Sequence, residues 1–359
     1  MTERTKPAVP ALQQELQAQR GFLFGLCYRM TGSAADAEDL VQDTCERALR
    51  APPEDRSRSL RPWLTTVALN LSRDHLRRRK AAPYRGTWLP EPVPTELLAG
   101  VAPEGARPDA RYDALESATL AFLLALEALS PTQRAVLLLR DVLDYSVRET
   151  ADALELSESN VKTTLHRARA AMAGYDAARC VPDAAMRKRT ERALRRFVLH
   201  LSTDNVRGLE ALLREDVVAL NDPGDEFVAA RKPVAGRKKV ILFHRKLTRY
   251  LAGRLRYAVR DMNGLPVLVA EYEPDRTDFP PRQVHSVSVD ARGRIRAVFT
   301  IVASPKLSKI SFAGLREVST VEKLVADGVR RVITRLQPAA QRLSTHIQVH
   351  AGSRARRKA

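Results

Sequence analysis

The feature that most constrains this chain is a run of prolines in its first third. Six prolines fall within residues 81–112, at positions 83, 90, 92, 94, 103 and 108. Proline fixes φ and has no backbone N–H to donate, so neither a long helix nor a central strand can pass through this stretch. We therefore expect a linker at 81–112 and separate folded blocks on either side of it. A length of 359 residues also favours two or three domains.

The residues before the linker have the apolar period of three helices. Gly32 breaks the first helix, Ser33 can cap the second with Asp36 three residues on, and Pro62 suits the start of the third. The predicted buried faces comprise Leu12, Leu16, Leu23, Leu26, Cys27 and Met30; then Ala37, Leu40, Val41, Thr44, Cys45, Ala48 and Leu49; then Leu64, Val67, Ala68 and Leu71.

Helical periodicity returns after the linker, from Leu115 to Leu129. Two capping boxes follow, Ser130 with Gln133 and Ser146 with Glu149, and a hydrophobic staple around position 157 marks a further helix start. Residues 146–172 therefore predict a short helix, a tight turn and a longer helix, which is helix-turn-helix spacing. Its predicted core is Val147, Ala151, Leu154, Leu156, Val161, Leu165 and Ala168.

The outer face of that longer helix combines hydrogen-bonding and cationic side chains: Ser159, Asn160, Lys162, Thr163, His166, Arg167 and Arg169. Such a helix fits the DNA major groove, where Arg or Lys reads guanine and Asn reads adenine. An ordinary helical corner with a solvated polar face is the alternative interpretation.

The third helix of the first block offers a second candidate surface, formed by Trp63, Asn70, Arg73, Asp74, Arg77 and Arg78. Cations crowd its C-terminal half, where they could follow a nucleic-acid strand. Cations there also offset the helix dipole, so a structural role stays open.

The net charge of +18 is distributed unevenly. Residues 1–180 hold 24 Lys and Arg against 24 Asp and Glu, whereas residues 181–359 hold 36 against 18. DNA binding by the first half must therefore depend on local placement of charge rather than on bulk attraction.

The second half of the chain has a different pattern, in which strand-like segments follow helical ones. Helical patterns at 192–201 and 209–213 precede strand-like segments at 217–220, 254–261, 267–272, 284–289 and 295–302, with a further helix near 239–251. Asn263-Gly264 and Arg292-Gly293 are turn signals between strands. Helices followed by an antiparallel sheet predict an α+β domain. The sequence further predicts a helix at 321–336, followed by a basic end at 354–358.

Three cysteines, Cys27, Cys45 and Cys180, occur at no metal-ligand spacing, so we expect free thiols, no metal and no cofactor. No run of about 18 apolar residues predicts a membrane span. The N-terminus lacks the apolar core of a secretion signal, which together with the free thiols favours a cytoplasmic location.

Two groups of segments resemble a known family. RGFLFGLCYRMTGS at 20–33, DAEDLVQD at 36–43 and PWLTTVALN at 62–70 resemble region 2 of extracytoplasmic-function sigma factors, which belong to the sigma-70 family. Residues 129–134 and 165–169 resemble region 4. The resemblance covers roughly residues 15–174.

This resemblance implies partners and roles. Core RNA polymerase would dock on the acidic-polar face formed by Asp39, Gln42, Asp43 and Glu46. The segment 51–63 and the basic helix after it would open and read the −10 promoter element, and the exposed face of residues 157–169 would read the −35 element. Sigma factors catalyse nothing themselves, so we expect no catalytic residue.

The second half resembles the SnoaL-like domain fused to a subgroup of these factors, a cone-shaped α+β fold of the nuclear transport factor 2 type. WLPEP at 88–92 matches the subgroup's linker signature, and SPKL at 304–307 resembles the short motif after its last strand. The chain departs from the subgroup at 221–227, where NDPGDEF replaces a glycine-rich loop.

The expected organisation is multidomain: region 2 at 11–80, a linker at 81–112, region 4 at 113–174, a SnoaL-like regulatory domain at 185–302 and a basic extension at 303–359. Alternatives are a conventional helix-turn-helix regulator, or a SnoaL-type enzyme with His200, His244, His285 or Asp261 as a base. No catalytic constellation around these four is recognisable, so a pocket for an unknown small-molecule ligand is preferred over chemistry.

Overall fold

The computed structural model describes residues 9–53, 59–81, 84, 86–101, 111–227, 229–250, 255–273 and 279–317. The expected helix at 321–336 and the basic end of the chain lie outside these residues. Across the described ranges, no helix combines the length and apolarity that crossing a membrane requires.

The N-terminal block contains three helices, α1 (Val9–Thr31), α2 (Ala34–Arg50) and α3 (Arg61–Ala81). The Ser33 side chain accepts a hydrogen bond from the Asp36 backbone N–H, as the sequence predicts for the start of α2. The apolar faces are buried as expected except at three positions. Cys45 and Val67 are half-buried, and Leu49, in the last turn of α2, is 43% exposed.

The middle block begins with a 3₁₀ turn (Glu116–Ala118) and contains α4 (Leu120–Leu126), α5 (Pro131–Leu137), a π turn (Leu138–Val142), α6 (Val147–Leu154), α7 (Glu158–Ala171) and α8 (Ala173–Asp176). Both predicted capping boxes are present. The helical pattern expected from Leu115 is interrupted at Thr119, whose hydroxyl caps α4.

The two helical blocks share one hydrophobic core. Buried residues from Leu12 to Cys180 form a single cluster, which also contains Val93 and Leu98 from the proline-rich segment. In this structure the two blocks therefore pack against each other and are not held apart by a free linker. Proline excludes regular structure from residues 81–112 but does not prevent the segment from packing, and Thr95–Val101 forms a 3₁₀ helix.

The C-terminal domain contains α9 (Ala184–Ser202), α10 (Val206–Leu212), α11 (Arg237–Tyr250) and α12 (Ser304–Leu307). Its strands are β1 (Leu213–Asp222), β2 (Val234–Ala235), β3 (Arg256–Met262), β4 (Leu265–Glu271), β5 (Arg282–Val289), β6 (Ile295–Ile301) and β7 (Arg316–Glu317).

These strands form one sheet in the order β2-β1-β6-β5-β4-β3-β7. The expected antiparallel sheet needs one correction, because β1 and β6 pair in parallel. The long chain between them allows the crossover that a parallel pair requires. The sheet separates two apolar clusters: α9–α11 cover one face, and Leu89 and Leu120 from outside the domain pack on the other.

Candidate nucleic-acid interface

Helix α7 carries the predicted −35-reading side chains. Val161, Leu165 and Ala168 are buried against the rest of the helix-turn-helix. All seven predicted residues lie on the exposed face: Ser159, Asn160, Lys162, Thr163, His166, Arg167 and Arg169. Ser157 caps the helix, and Glu155 makes the preceding turn with a left-handed backbone (φ 54°). The sequence pattern therefore gives the burial of this helix correctly.

One of the seven is already engaged within the chain. The Arg169 guanidinium donates to both carboxylate oxygens of Asp141, at 2.9 and 2.6 Å. Asp141 is buried in the π turn before the helix-turn-helix, and its hydrogen bonds raise the pKa of Arg169. A bidentate pair of this kind fixes the orientation of α7. Arg169 is therefore an anchor of the reading helix, and the other six side chains form its outward face.

The predicted −10 surface on α3 is only partly accessible. Asp74, Arg77 and Arg78 are exposed, and Arg77 pairs with Asp74 at 2.7 Å. Trp63, Asn70 and Arg73 are half-buried, with Trp63 packed on the shared core.

The covering comes from the middle block. The Tyr145 hydroxyl donates to Thr65 Oγ1 at 3.2 Å, and Arg79 donates to the Glu127 carboxylate at 3.1 Å. Burial lowers the pKa of the Arg73 guanidinium, while Glu155 beside α7 acts in the opposite direction. The basic half of α3 therefore faces the helix-turn-helix.

Two buried arginines tie the helical blocks together. Arg29 Nε donates to Ser117 Oγ at 2.8 Å, and Arg134 Nη1 donates to the Met30 carbonyl at 2.6 Å. Burial lowers the pKa of Arg29 to about 10. Sequence reasoning missed both arginines. The spacing of residues along a helix does not show which distant hydroxyl or carbonyl oxygen will accept a hydrogen bond from the side chain.

The predicted polymerase-docking face lies on α2. Asp39, Gln42 and Asp43 are exposed and Glu46 is half-buried. Gln42 Nε2 donates to Glu46 Oε1 at 3.2 Å. Asp39 and Gln42 line a groove with Leu97, which is 54% exposed. The proline-rich segment therefore runs beside this face.

The proline-rich segment joins all three parts of the molecule, and we call residues 84 and 86–98 with their partners the junction. At its centre is Asp222, at the end of β1. It accepts from the Leu89 N–H at 2.7 Å, from Lys306 Nζ at 2.7 Å and from the Tyr84 hydroxyl. The carboxylate is fully buried and the Lys306 side chain is 9% exposed. Burial lowers the pKa of Lys306, and Asp222 offsets part of that effect.

Glu91 connects the junction to the N-terminal block. Its carboxylate accepts from the Ala34 and Ala35 N–H groups at 2.7 and 3.1 Å and from Ser33 Oγ at 2.9 Å. It therefore satisfies the free amides at the start of α2, where a negative charge is favoured.

The β3–β4 turn connects the same parts from the other side. Asn263, the predicted turn residue, is 5% exposed. Its side chain accepts from the Val93 N–H at 3.0 Å and donates to the Tyr28 hydroxyl at 2.7 Å and the Ala118 carbonyl at 2.8 Å. The Asn-Gly signal identified the turn, but not that this amide contacts both helical blocks.

Trp88 completes the junction between two cations. Arg79 lies 4.4 Å and Lys306 4.3 Å from its ring centroid. Gly32 provides the space, since a Cβ there would lie 2.5 Å from the Trp88 ring.

The four histidine and aspartate candidates do not form one site. His244 and His285 line the same cavity of the C-terminal domain, whereas Asp261 pairs with Arg187 at 2.6 Å on the surface. His200 packs against Gly208 beside α10 and does not line this cavity.

Known families match the two helical blocks separately. Sigma-70 region 2 matches residues 16–82 and sigma-70 region 4 matches residues 119–172. The helix-turn-helix described above, residues 146–172, lies inside the second match.

Individual relatives extend the match. The chain is 33% identical over 232 residues to the ECF RNA polymerase sigma factor SigJ of Mycobacterium tuberculosis, covering 64% of this chain and 70% of SigJ. It is 42% identical over 161 residues to SigG of the same organism, covering 41% of this chain and 44% of SigG. The crystal structure of SigJ superimposes with a TM-score of 0.63 at 26% identity, covering 82% of this chain and 98% of that one.

The chain is thus a sigma-70-type factor with two helical sigma regions followed by an α+β sheet domain. More specifically, it belongs to the ECF RNA polymerase sigma factors. Members of this family initiate transcription and are not enzymes, so the enzyme alternative is not retained.

Proposed function

We propose that the chain binds core RNA polymerase and directs it to promoters whose −35 element is read by α7 and whose −10 element is opened and read by α3. The outward set on α7, which includes Asn160 and Arg167, carries the −35 assignment. For the −10 element the candidates remain Trp63, Asn70, Arg73, Asp74, Arg77 and Arg78.

The polymerase would dock on the acidic face of α2, with Asp39, Gln42, Asp43 and Glu46 as the contact residues. The exposure of this face and its groove support the assignment. In this proposal the functional domains are 11–80 and 113–174, and the proline-rich segment 81–112 is a restraint rather than a free linker.

The C-terminal domain is proposed to be SnoaL-like, over residues 185–302, and to restrain the sigma regions. Three helices on one face of a seven-stranded sheet suit that fold. The observation that carries the restraint is the junction, where Asp222 and Asn263 of this domain, with Lys306 just after it, hold the segment that caps α2.

The spacing of the two promoter elements requires the two helical blocks to separate when the protein binds. The −35 and −10 elements are about 25 base pairs apart, which is roughly 85 Å of B-form DNA at about 34–36 Å per turn. A compact body of about 170 residues has a radius of gyration of about 16 Å, hence a diameter of about 40 Å. The two helical blocks as packed here cannot span both elements, so promoter binding must separate them.

In vitro transcription tests the sigma assignment. Purified core polymerase would transcribe fragmented genomic DNA of the source organism with and without this protein, and RNA 5′ ends would be sequenced. We expect new start sites that share two upstream elements at a fixed spacing. Their absence would overturn the proposal.

The same assay tests the surfaces. Arg167→Ala should reduce output from every new start site, whereas Arg292→Ala removes the same charge from an exposed turn of the C-terminal domain and should leave output unchanged. If the two variants gave equal output, the proposal that α7 reads the −35 element would be wrong.

A further inference from the structure

The C-terminal domain contains an apolar cavity on the face of the sheet that points away from the junction. It lies between α9, α11 and the sheet, and encloses about 720 Å³ of empty space, its open mouth included. Phe197, Leu194, Val198 and Leu268 form much of its wall. Cavities that are mostly apolar with a few convergent polar groups are typical of small-molecule sites.

One polar group in the cavity lacks a partner. His244 is 3% exposed and lines the cavity, and its Nε2 has no hydrogen-bond partner. Phe197 contacts the ring edge-to-face at 5.1 Å between centroids. A buried polar nitrogen left without a hydrogen bond costs free energy, and a ligand could supply the missing partner.

The rest of the lining restricts the charge of that ligand. The described residues around the cavity include no Asp, Glu, Lys or Arg, and His285 donates or accepts within the domain, with its Nδ1 3.1 Å from Thr300 Oγ1. Burial lowers the pKa of His244 to about 3 and that of His285 to about 4, so both rings are neutral. An ionised ligand would lose its hydration without gaining a counter-charge.

We propose that this cavity binds an uncharged, largely apolar ring compound that carries one hydroxyl or carbonyl group, and that this group hydrogen-bonds to His244 Nε2. The inference does not depend on the sigma function, because it concerns the opposite face of the sheet from the junction.

A matched set of probes tests the ligand class on the full-length chain. 2-Naphthol has the hydroxyl, naphthalene lacks it, and 2-naphthoate replaces it with a charge. Fluorescence titration should give saturable 1:1 binding of 2-naphthol, with 2-naphthoate at least roughly tenfold weaker. Absence of saturable binding by both 2-naphthol and naphthalene, or equal binding of 2-naphthoate, would overturn the proposal.

Variants test the location. His244→Phe should weaken 2-naphthol roughly tenfold by removing the hydrogen bond, and leave naphthalene binding within about twofold. Ser202→Trp, at an exposed position of the lining, should block the mouth and weaken both. Leu242→Ala, 65% exposed on the same helix as His244 and outside the lining, should change neither. Should His244→Phe not fold, unchanged binding in Ser202→Trp would by itself refute the site.

Discussion

The two helices proposed to read the promoter, α7 and α3, differ in what covers them. On α7 the polar face is open along its length and the apolar face alone is buried. On α3 three of the six predicted DNA-reading residues are half-buried, and the middle block packs along the same helix through Tyr145 and Glu127. The packed chain therefore presents one reader and partly withholds the other.

The difference has a local and a distant cause. The orientation of α7 depends on neighbouring residues, namely the Ser157 cap and the Arg169–Asp141 pair. The covering of α3 depends on contacts that span the chain. Arg79 donates to Glu127 and lies over the ring of Trp88, whose neighbour Leu89 donates to Asp222. Weakening the junction should therefore change access to α3 and leave α7 as it is.

The largest effect is expected from Lys306→Met. It leaves the buried Asp222 carboxylate without its cation, and breaking a buried ion pair costs roughly 3–5 kcal/mol. Hydrogen exchange at the Leu89 and Glu91 amides, which donate to Asp222 and Gly32, should report this loss as faster opening. Output from promoters should rise, because α3 is uncovered more often.

Lys309→Met is the matched control. Lys309 pairs with Glu38, but both side chains are well exposed, and such pairs contribute at most about 1 kcal/mol. If Lys309→Met changed exchange at these amides as much as Lys306→Met, the buried pair would not be what holds the junction.

Arg167→Ala should affect the open reader. Loss of a bidentate contact to guanine would weaken −35 binding by about 1–3 kcal/mol and relax specificity at one position. Affinity for mutated −35 sequences, measured with the polymerase holoenzyme, gives the comparison. Uniform weakening at every sequence would instead indicate a phosphate contact.

The helix-turn-helix could be predicted almost completely from sequence. Capping boxes at Ser130 and Ser146 and the apolar period of α7 are local signals, and each is present in the structure. The strand order was harder to predict. The strand segments could be recognised from the sequence, but no local signal distinguishes the parallel β1–β6 pair from an antiparallel one.

The junction could not be predicted in the same way. The segment WLPEP was recognised by resemblance, but proline spacing predicts only the absence of regular structure. Whether Glu91 then caps α2, or Asn263 bonds to Tyr28, depends on partners 57 to 235 residues away along the chain. Buried polar contacts at such separation leave no periodic trace in the sequence.

Lowering the pH should reduce the folding stability of the C-terminal domain, because His244 becomes protonated on unfolding. Its pKa is about 3 when folded and about 6.5 when unfolded. The stability that depends on a neutral His244 is therefore complete above about pH 6.5 and is lost as the pH falls toward about 3. Between pH 7 and pH 5.5 the loss amounts to about 1 kcal/mol.

Urea unfolding at the two pH values measures this loss. His244→Phe should lose less stability than the parent chain over the same interval, by about that amount. The same pH dependence in both would mean that His244 does not titrate differently on unfolding.

The smallest expected effect is that of Arg78→Ala. This exposed cation on α3 should weaken binding uniformly and reduce the slope of log K against log salt by about 1, if it contacts a phosphate. Salt titration of promoter binding by the holoenzyme gives the slope. A sequence-dependent loss at unchanged slope would make Arg78 a base reader instead.

The most direct test of the account is the distance between the two helical blocks. Spin labels on non-canonical residues at Gln14 of α1 and Asp152 of α6, both exposed, leave the three native cysteines unchanged. Electron-electron resonance on the free chain should give a single distance below about 40 Å. In a promoter complex with core polymerase we expect it to lengthen by tens of ångströms, roughly as the spacing of the two elements requires. An unchanged distance in a complex that starts transcription would contradict the account.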